Sequence, residues 1–238
     1  MSALLLLFDI DGTLLLRAAA DHRVALLAGV REVYGVDPSA VRVETAGRTD
    51  PEIARLILVA AGVAASRIDA GLPELRIAVC RLYASRETED LREKVAPGMP
   101  ELLAELTARD DVRLALLTGN LEPVARMKLR RAGINSFFAS GQGAFGSDSE
   151  DRTMLPAVAR RRAGSDTAPW PRERTVVIGD TARDVACARA DGCRCVAVAT
   201  GPEGADGLGG ADAVVADTSA LGAVLAGLVQ PPTPGAGG

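Results

Sequence analysis

The sequence predicts an α/β fold: a doubly wound parallel sheet interrupted by one inserted block of helices. Three observations predict it. Short apolar runs of strand length alternate with helical patterns over most of the chain. One stretch, from about Leu16 to Leu91, contains helical patterns and no convincing strand. Several apolar runs end directly in polar, glycine-containing turns, and in an open α/β sheet the ligand crevice lies at the carboxyl ends of strands.

The strand-length runs are Leu4–Phe8, Val112–Leu117, Phe137–Ser140, Thr175–Ile178, Cys195–Val198 and Ala213–Val215. The helical patterns between the later ones are Pro100–Ala108, Pro123–Ala132, Leu155–Ala163 and Arg183–Ala190. Pro100 and Pro123 fall near helix starts, where a missing N–H costs little, and Gly133 and Gly192 fall where helices stop. Within the insert, Asp21–Tyr34, Pro51–Ala61 and Pro73–Ser85 read as helices, and Pro97-Gly98 marks the return to the sheet. The chain therefore divides into a core of residues 1–15 and 93–228, a helical insert of 16–92 and a tail of 229–238. The tail, with its QPPTPGAGG ending, is expected to be disordered, and Gly201–Gly210 is a glycine-rich loop.

Composition narrows the function classes. A chain of 238 residues holds one ordinary domain or a core plus a smaller insert, and with 3% aromatics its core rests on Ala, Val and Leu. A net charge of −4 argues against a general nucleic-acid surface. Lys94 and Lys128 are the only lysines, so a bound anion falls mostly to arginine or backbone N–H groups. Cys80, Cys187, Cys193 and Cys195 show no disulfide framework, and with no histidine nearby the last three read as small core residues rather than a metal site. The N-terminal apolar run is too short to span a membrane and lacks the flanks of a secretion signal, which leads to the expectation of a soluble cytoplasmic protein.

The chemistry is concentrated at three strand ends. Leu4–Phe8 leads into Asp9-Ile10-Asp11-Gly12-Thr13, where carboxylates two residues apart leave a strand on the same side and can serve one substrate. Val112–Leu117 leads into Thr118-Gly119-Asn120, a hydroxyl, a close-approach glycine and an amide suited to phosphate oxygens. Thr175–Ile178 leads into Gly179-Asp180-Thr181-Ala182-Arg183-Asp184, with Asp184 on the first turn of the next helix, facing back. Hard carboxylate oxygens of this kind suit Mg²⁺.

FDIDGTL, LLTGN and VIGDTARD, in that order and with a helical block after the first, resemble the haloacid dehalogenase superfamily of phosphohydrolases over about residues 3–226. The resemblance implies a Rossmann-like core with a C1-type helical cap, and a Mg²⁺-dependent phosphatase of the phosphoglycolate-phosphatase-like branch acting on a small phosphorylated metabolite. It implies that Asp9 is the nucleophile that becomes an aspartyl-phosphate and that Asp11 is the acid and later the base. Thr118, with Gly119 and Asn120, would bind the phosphoryl group. The Asp9 carboxylate, the Asp11 carbonyl and Asp180 would hold Mg²⁺, with Asp184 supporting them. The scheme is coherent, because a phosphate dianion repels a carboxylate until cations and donors offset the charge.

The chain departs from the family at one point. The usual lysine ahead of the last motif is missing, and Arg152 is its candidate replacement, ahead of Arg161 and Arg162. Within the insert, Arg48 in Gly47-Arg48-Thr49-Asp50 reads as a substrate contact or a helix-entry residue, and His22 as a packing residue or a substrate contact. A phosphonatase would need a cap lysine, which residues 1–93 lack, and a haloacid dehalogenase would not need Asp11. A mutase of the β-phosphoglucomutase type remains as the alternative, followed by a non-catalytic binding module. No nucleic-acid or membrane partner is expected, and the protein is expected to be a monomer or homodimer.

Overall fold

The computed structural model describes residues 3–86 and 90–229. Six parallel strands form one sheet in the order β3-β2-β1-β4-β5-β6, with β1 Leu4–Phe8, β2 Val112–Thr118, β3 Ala144–Phe145, β4 Thr175–Gly179, β5 Arg194–Val198 and β6 Ala213–Val215. The order reverses between β1 and β4, so the crevice of a doubly wound sheet opens there. β1 is the central strand and is buried on both faces. Leu4, Leu6 and Phe8 join one apolar cluster, while Leu5 and Leu7 join the other.

Helices cover both faces. On the Leu4 side lie α4 (Met99–Thr107), α5 (Glu122–Arg131) and α8 (Thr218–Val229); on the Leu5 side lie α6 (Leu155–Ala163) and α7 (Ala182–Asp191). Between β1 and α4 the chain forms α1 (Ala20–Tyr34), α2 (Asp50–Ala60) and α3 (Ala65–Ser85), with no strand among its described residues. A third apolar cluster unites these helices through Leu26, Val30, Ile57, Leu75 and Val79 and reaches Leu121 and Val124 at the start of α5. The sequence pattern of α8 went unrecognised, and the tail from residue 230 lies outside the described residues.

Two expected elements differ. Phe137–Ser140 is no strand: a 3-10 turn covers Asn135–Phe137, and the third strand is Ala144–Phe145. The Phe138 and Ala139 carbonyls that a ladder would use accept instead from the Arg126 guanidinium, at 2.8 and 2.9 Å. Phe138 packs edge-on against Phe8, with ring centroids 6.1 Å apart. The last helix of the insert begins at Ala65, so Pro73 lies inside it instead of starting it. Burial of Ile68 on the same face as Leu75 and Val79 holds the earlier turns helical despite the missing N–H at Pro73. The four cysteines are free, and Cys187, Cys193 and Cys195 are core residues on the α7 side.

Candidate active site

Three neighbouring strands deliver the site. Asp9 follows β1, Thr118 ends β2 and Asp180 follows β4, and β1 pairs with both of the others. Gly12 turns the chain with φ +92°, and a Cβ there would come within 2.1 Å of Asp180 Oδ2, so only glycine lets this loop lie against Asp180. Thr13 Oγ1 donates to Asp180 Oδ1 at 3.0 Å. Asp184 caps its own helix: its Oδ2 accepts from Thr181 N at 3.0 Å, Thr181 Oγ1 at 2.7 Å and Asp180 N at 3.2 Å. That capping box fixes the turn carrying Asp180.

Arg152, on a 3-10 turn ahead of α6, enters this cluster from the side. Its Nη2 lies 3.2 Å from Asp9 Oδ1 and donates to Asp184 Oδ1. Arg161 and Arg162, the weaker candidates, face Asp166 and Asp148 instead. Burial raises Asp9 to about 7, the Arg152 charge opposes this, and Asp184 and Asp11 push the same way as burial. Burial together with Asp9 and Asp184 likewise raises Asp180 to about 8, against Thr13 and Arg152. One arginine thus faces more carboxylate charge than it can balance.

Oxygens of Asp9, Asp180 and Asp184 all lie within 4.8 Å of one another, and all three residues are buried. The donor set is hard oxygen and carries excess negative charge, so it fits a divalent cation such as Mg²⁺. Both Asp184 oxygens are already engaged by the chain's own donors. Asp9 and Asp180 could therefore serve as direct ligands, while Asp184 holds Arg152 and the turn in place.

Asp11 has different partners. Its two oxygens accept from Lys128 Nζ at 2.8 and 2.6 Å, and Oδ2 also accepts from Asn120 Nδ2 at 3.0 Å. Burial alone would raise this carboxyl, but the charges of Lys128 and His22 and the bonds from Lys128 and Asn120 outweigh it and hold Asp11 below the ordinary value. Lys128 was not among the residues the sequence singled out for the site. Its one signal was position: it lies four residues after Val124 on a face of α5 that is otherwise buried and apolar. Thr118 Oγ1 accepts from Asn120 Nδ2 at 3.1 Å, and Asn120 Oδ1 is buried without a partner among the described residues.

The helical insert reaches the site through Gly47–Asp50. Asp50 N donates to the Gly119 carbonyl at 2.8 Å, and Leu121 N donates to Asp50 Oδ2 at 2.8 Å. A Cβ on Gly119 would lie 2.1 Å from the Arg48 carbonyl, so this glycine permits the approach. His22 Nε2 lies 2.9 Å from Asp50 Oδ2 and the ring packs edge-on against Tyr83. The Arg48 guanidinium is engaged by Glu52 and donates to the Glu44 carbonyl at 3.0 Å. Asp50 is a second residue whose part was missed, although its loop was singled out. Above Asp9, Asp11 and Asp180 opens a cavity of about 730 Å³, walled by α1, the 38–48 segment and α2, with His22 and Arg48 on its lining.

A search of curated proteins finds no match. Among solved structures, a hydrolase from Pseudomonas syringae is 19% identical, with 95% of this chain and 99% of that one covered and a TM-score of 0.63. A β-phosphoglucomutase, so described provisionally, from Bacteroides vulgatus is 18% identical, covering 95% and 89%, with a TM-score of 0.64. CbbY from Rhodobacter sphaeroides, bound to xylulose-(1,5)bisphosphate, is 19% identical, covering 91% and 95%, with a TM-score of 0.61. At these identities the likeness is one of fold. The family model for haloacid dehalogenase-like hydrolase matches residues 6–189, and so spans all three strand-end motifs. The chain belongs to the haloacid dehalogenase-like hydrolases.

Proposed function

We propose that the protein is a Mg²⁺-dependent phosphomonoester hydrolase acting on a phosphorylated metabolite through an aspartyl-phosphate on Asp9. The observation that carries this reading is the meeting of Asp9, Asp180, Asp184 and Arg152 beneath a cavity that Asp11 and Asn120 also line. Asp9 and Asp180, with the Asp11 carbonyl, would hold the cation, which when bound would supply charge compensation for the phosphoryl oxygens. Arg152 keeps Asp9 oriented and lessens its repulsion toward an incoming dianion. Asp9 attacks phosphorus, and the departing oxygen takes a proton from Asp11. Water, giving a proton to Asp11, then attacks phosphorus; the Asp9–phosphorus bond breaks, and phosphate and the Asp9 carboxylate are released. Thr118, Gly119 and Asn120 bind the transferring phosphoryl group, and the helical insert of residues 16–92 acts as a cap over the core.

The β-phosphoglucomutase type of reaction uses the same first half. The breadth of the cavity favours keeping it as a second reading, since a leaving group with room to stay could accept the phosphoryl group on another hydroxyl. The test is phosphate release from a panel of esters, with and without Mg²⁺, by wild type and Asp9→Asn. Mg²⁺-dependent release lost in Asp9→Asn supports the hydrolase. Isomerised ester without net phosphate supports the mutase. No turnover and no phosphorylated Asp9 would sink both.

A further inference from the structure

The cavity is lined by two kinds of charge. The strand ends contribute carboxylates (Asp9, Asp11 and Asp180), while the helical insert contributes four arginines, Arg17, Arg23, Arg42 and Arg48. The one carboxylate that the insert adds to the lining, Asp50, is spent on His22 and the Leu121 N–H. Arg48 is spent on Glu52 and the Glu44 carbonyl. The side chains of Arg17, Arg23 and Arg42 have no ion pair or hydrogen bond among the described residues. Several arginines elsewhere do pair with a carboxylate: Arg31 with Asp37, Arg55 with Asp69, Arg81 with Glu32 and Arg109 with Asp111.

A second observation comes from the backbone. Arg17 has φ +55°, and it is the one non-glycine residue with positive φ among those described. A side chain with a Cβ is disfavoured there, and such outliers gather at ligand sites. The strain falls at the residue that leads the chain from the catalytic loop toward α1. The insert also gives the lining apolar side chains, among them Leu26, Leu27, Val41 and Ile53.

We propose that Arg17, Arg23 and Arg42 form a subsite for a second anionic group. The substrate is then a phosphomonoester that carries, besides the phosphoryl group at Asp9, a carboxylate or a second phosphate for these arginines and apolar atoms for the rest of the lining. This rests on the phosphatase reading for what happens at the floor, but the subsite is a binding claim and can be tested without turnover.

The test is calorimetric binding of three non-hydrolysable ligands of equal chain length to the Mg²⁺-loaded protein: an alkyl phosphonate, an ω-carboxyalkyl phosphonate and an α,ω-bisphosphonate. A terminal anion should tighten binding about tenfold or more, as charge-assisted contacts do. That gain should shrink with added salt and vanish in Arg17→Gln/Arg23→Gln/Arg42→Gln, while the alkyl phosphonate binds both proteins alike. The larger of the two gains identifies the terminal group as carboxylate or phosphate. All three side chains are exposed, so the variant should fold; the three single variants, each expected to lose part of the gain, guard against its failing to. Equal binding of the three ligands by wild type, or a gain that survives in the variant, overturns the subsite. In parallel, a chromogenic phosphate ester tests the floor. Its Mg²⁺-dependent hydrolysis without a terminal-anion gain leaves the phosphatase and removes the subsite, and the gain without hydrolysis does the reverse.

Discussion

Lys128, with no exposed side-chain surface, grips both oxygens of Asp11 at 2.8 and 2.6 Å. The pair sets the protonation of the residue proposed as acid and base. An Asp11 carboxyl held low is ready to deprotonate water but must gain its proton against an ammonium before it can protonate a leaving oxygen. Protonation of the leaving group is then the more demanding half, and aryl esters, which need it less, should turn over faster than alkyl esters. Lys128→Met keeps the volume and removes the charge. It should raise the acid limb of the rate–pH profile and narrow the aryl-to-alkyl ratio, at a stability cost of about 1–3 kcal/mol. An unchanged ratio, measured by steady-state phosphate release, would detach Lys128 from the chemistry.

The floor predicts how pH and metal act together. Asp9 and Asp180 are raised to about 7 and about 8 from an ordinary 3.8, so the folded metal-free protein binds protons that the unfolded chain releases. The stability this gives is fully present below the unfolded value and is lost as pH rises through the folded values. Metal-free protein should therefore lose thermal stability between about pH 5 and about pH 8. Mg²⁺ binds the deprotonated pair and releases protons, so its stabilising shift should be larger at about pH 8 than at about pH 5.5. Thermal melts across that range, with Mg²⁺ and with chelator, read this directly; a shift that shrinks with pH contradicts the assignment of the two carboxylates.

Most of the sheet was legible because local and tertiary demands agree. Leu4–Phe8 and Ala213–Val215 were read with their observed ends, and the strand-end carboxylates follow from the run of apolar residues before them. The misreadings arose where a distant partner decided the local structure. Phe137–Ser140 has strand composition, yet Arg126, about one helical turn and a loop earlier, takes the carbonyls. Pro73 has the look of a helix start, but burial of Ile68 carries the helix through it. In the site, spacing drew attention to Arg152, which lies beside Asp9 and Asp184, while nothing local pointed to Lys128 and Asp50. Each pairs with residues far away in sequence, Lys128 with Asp11 and Asp50 with His22 and Leu121, and no local pattern encodes such a meeting.

Arg152 stands between two carboxylates, so its removal should be felt in folding as well as in catalysis. Arg152→Ala leaves Asp9 and Asp184 buried with no cation, at a cost of about 3–5 kcal/mol. Saturating Mg²⁺ should return part of that loss, because it supplies charge to the same cluster. Arg152→Lys keeps the charge but not the fork, and should fold better than the alanine variant while turning over about tenfold more slowly than wild type or worse. Paired melts and rates for the two variants separate charge from geometry; equal damage from both would mean that charge alone is of no account here.

Asp50 ties the helical insert to the turn after β2 through one carboxylate oxygen, which meets His22 and the Leu121 N–H. Asp50→Ala leaves that buried N–H without its acceptor and His22 without its partner, which should cost about 1–3 kcal/mol for each unpaired group. Hydrogen exchange should quicken at Leu121 and along the first turn of α1 before it does in β1 or β4, whose amides lie within the central sheet. Loss of protection spread evenly over the sheet would instead place Asp50 in the global fold.

Arg17→Gly separates the strain at residue 17 from the use of its charge. Glycine accepts φ +55° without the steric cost that arginine bears, while it loses more freedom on folding. The balance should stabilise the protein by about 0.5–1 kcal/mol, a rise of a few degrees in the melting midpoint. The same variant gives up one of the three unpaired guanidinium groups, so it should bind an ω-carboxyalkyl phosphonate more weakly than wild type does. Greater stability with weaker binding of the terminal anion is the pattern expected of a residue kept in a strained conformation for a ligand. A variant that melts lower than wild type would show that Arg17 supports the fold, and the strain would then carry no functional meaning.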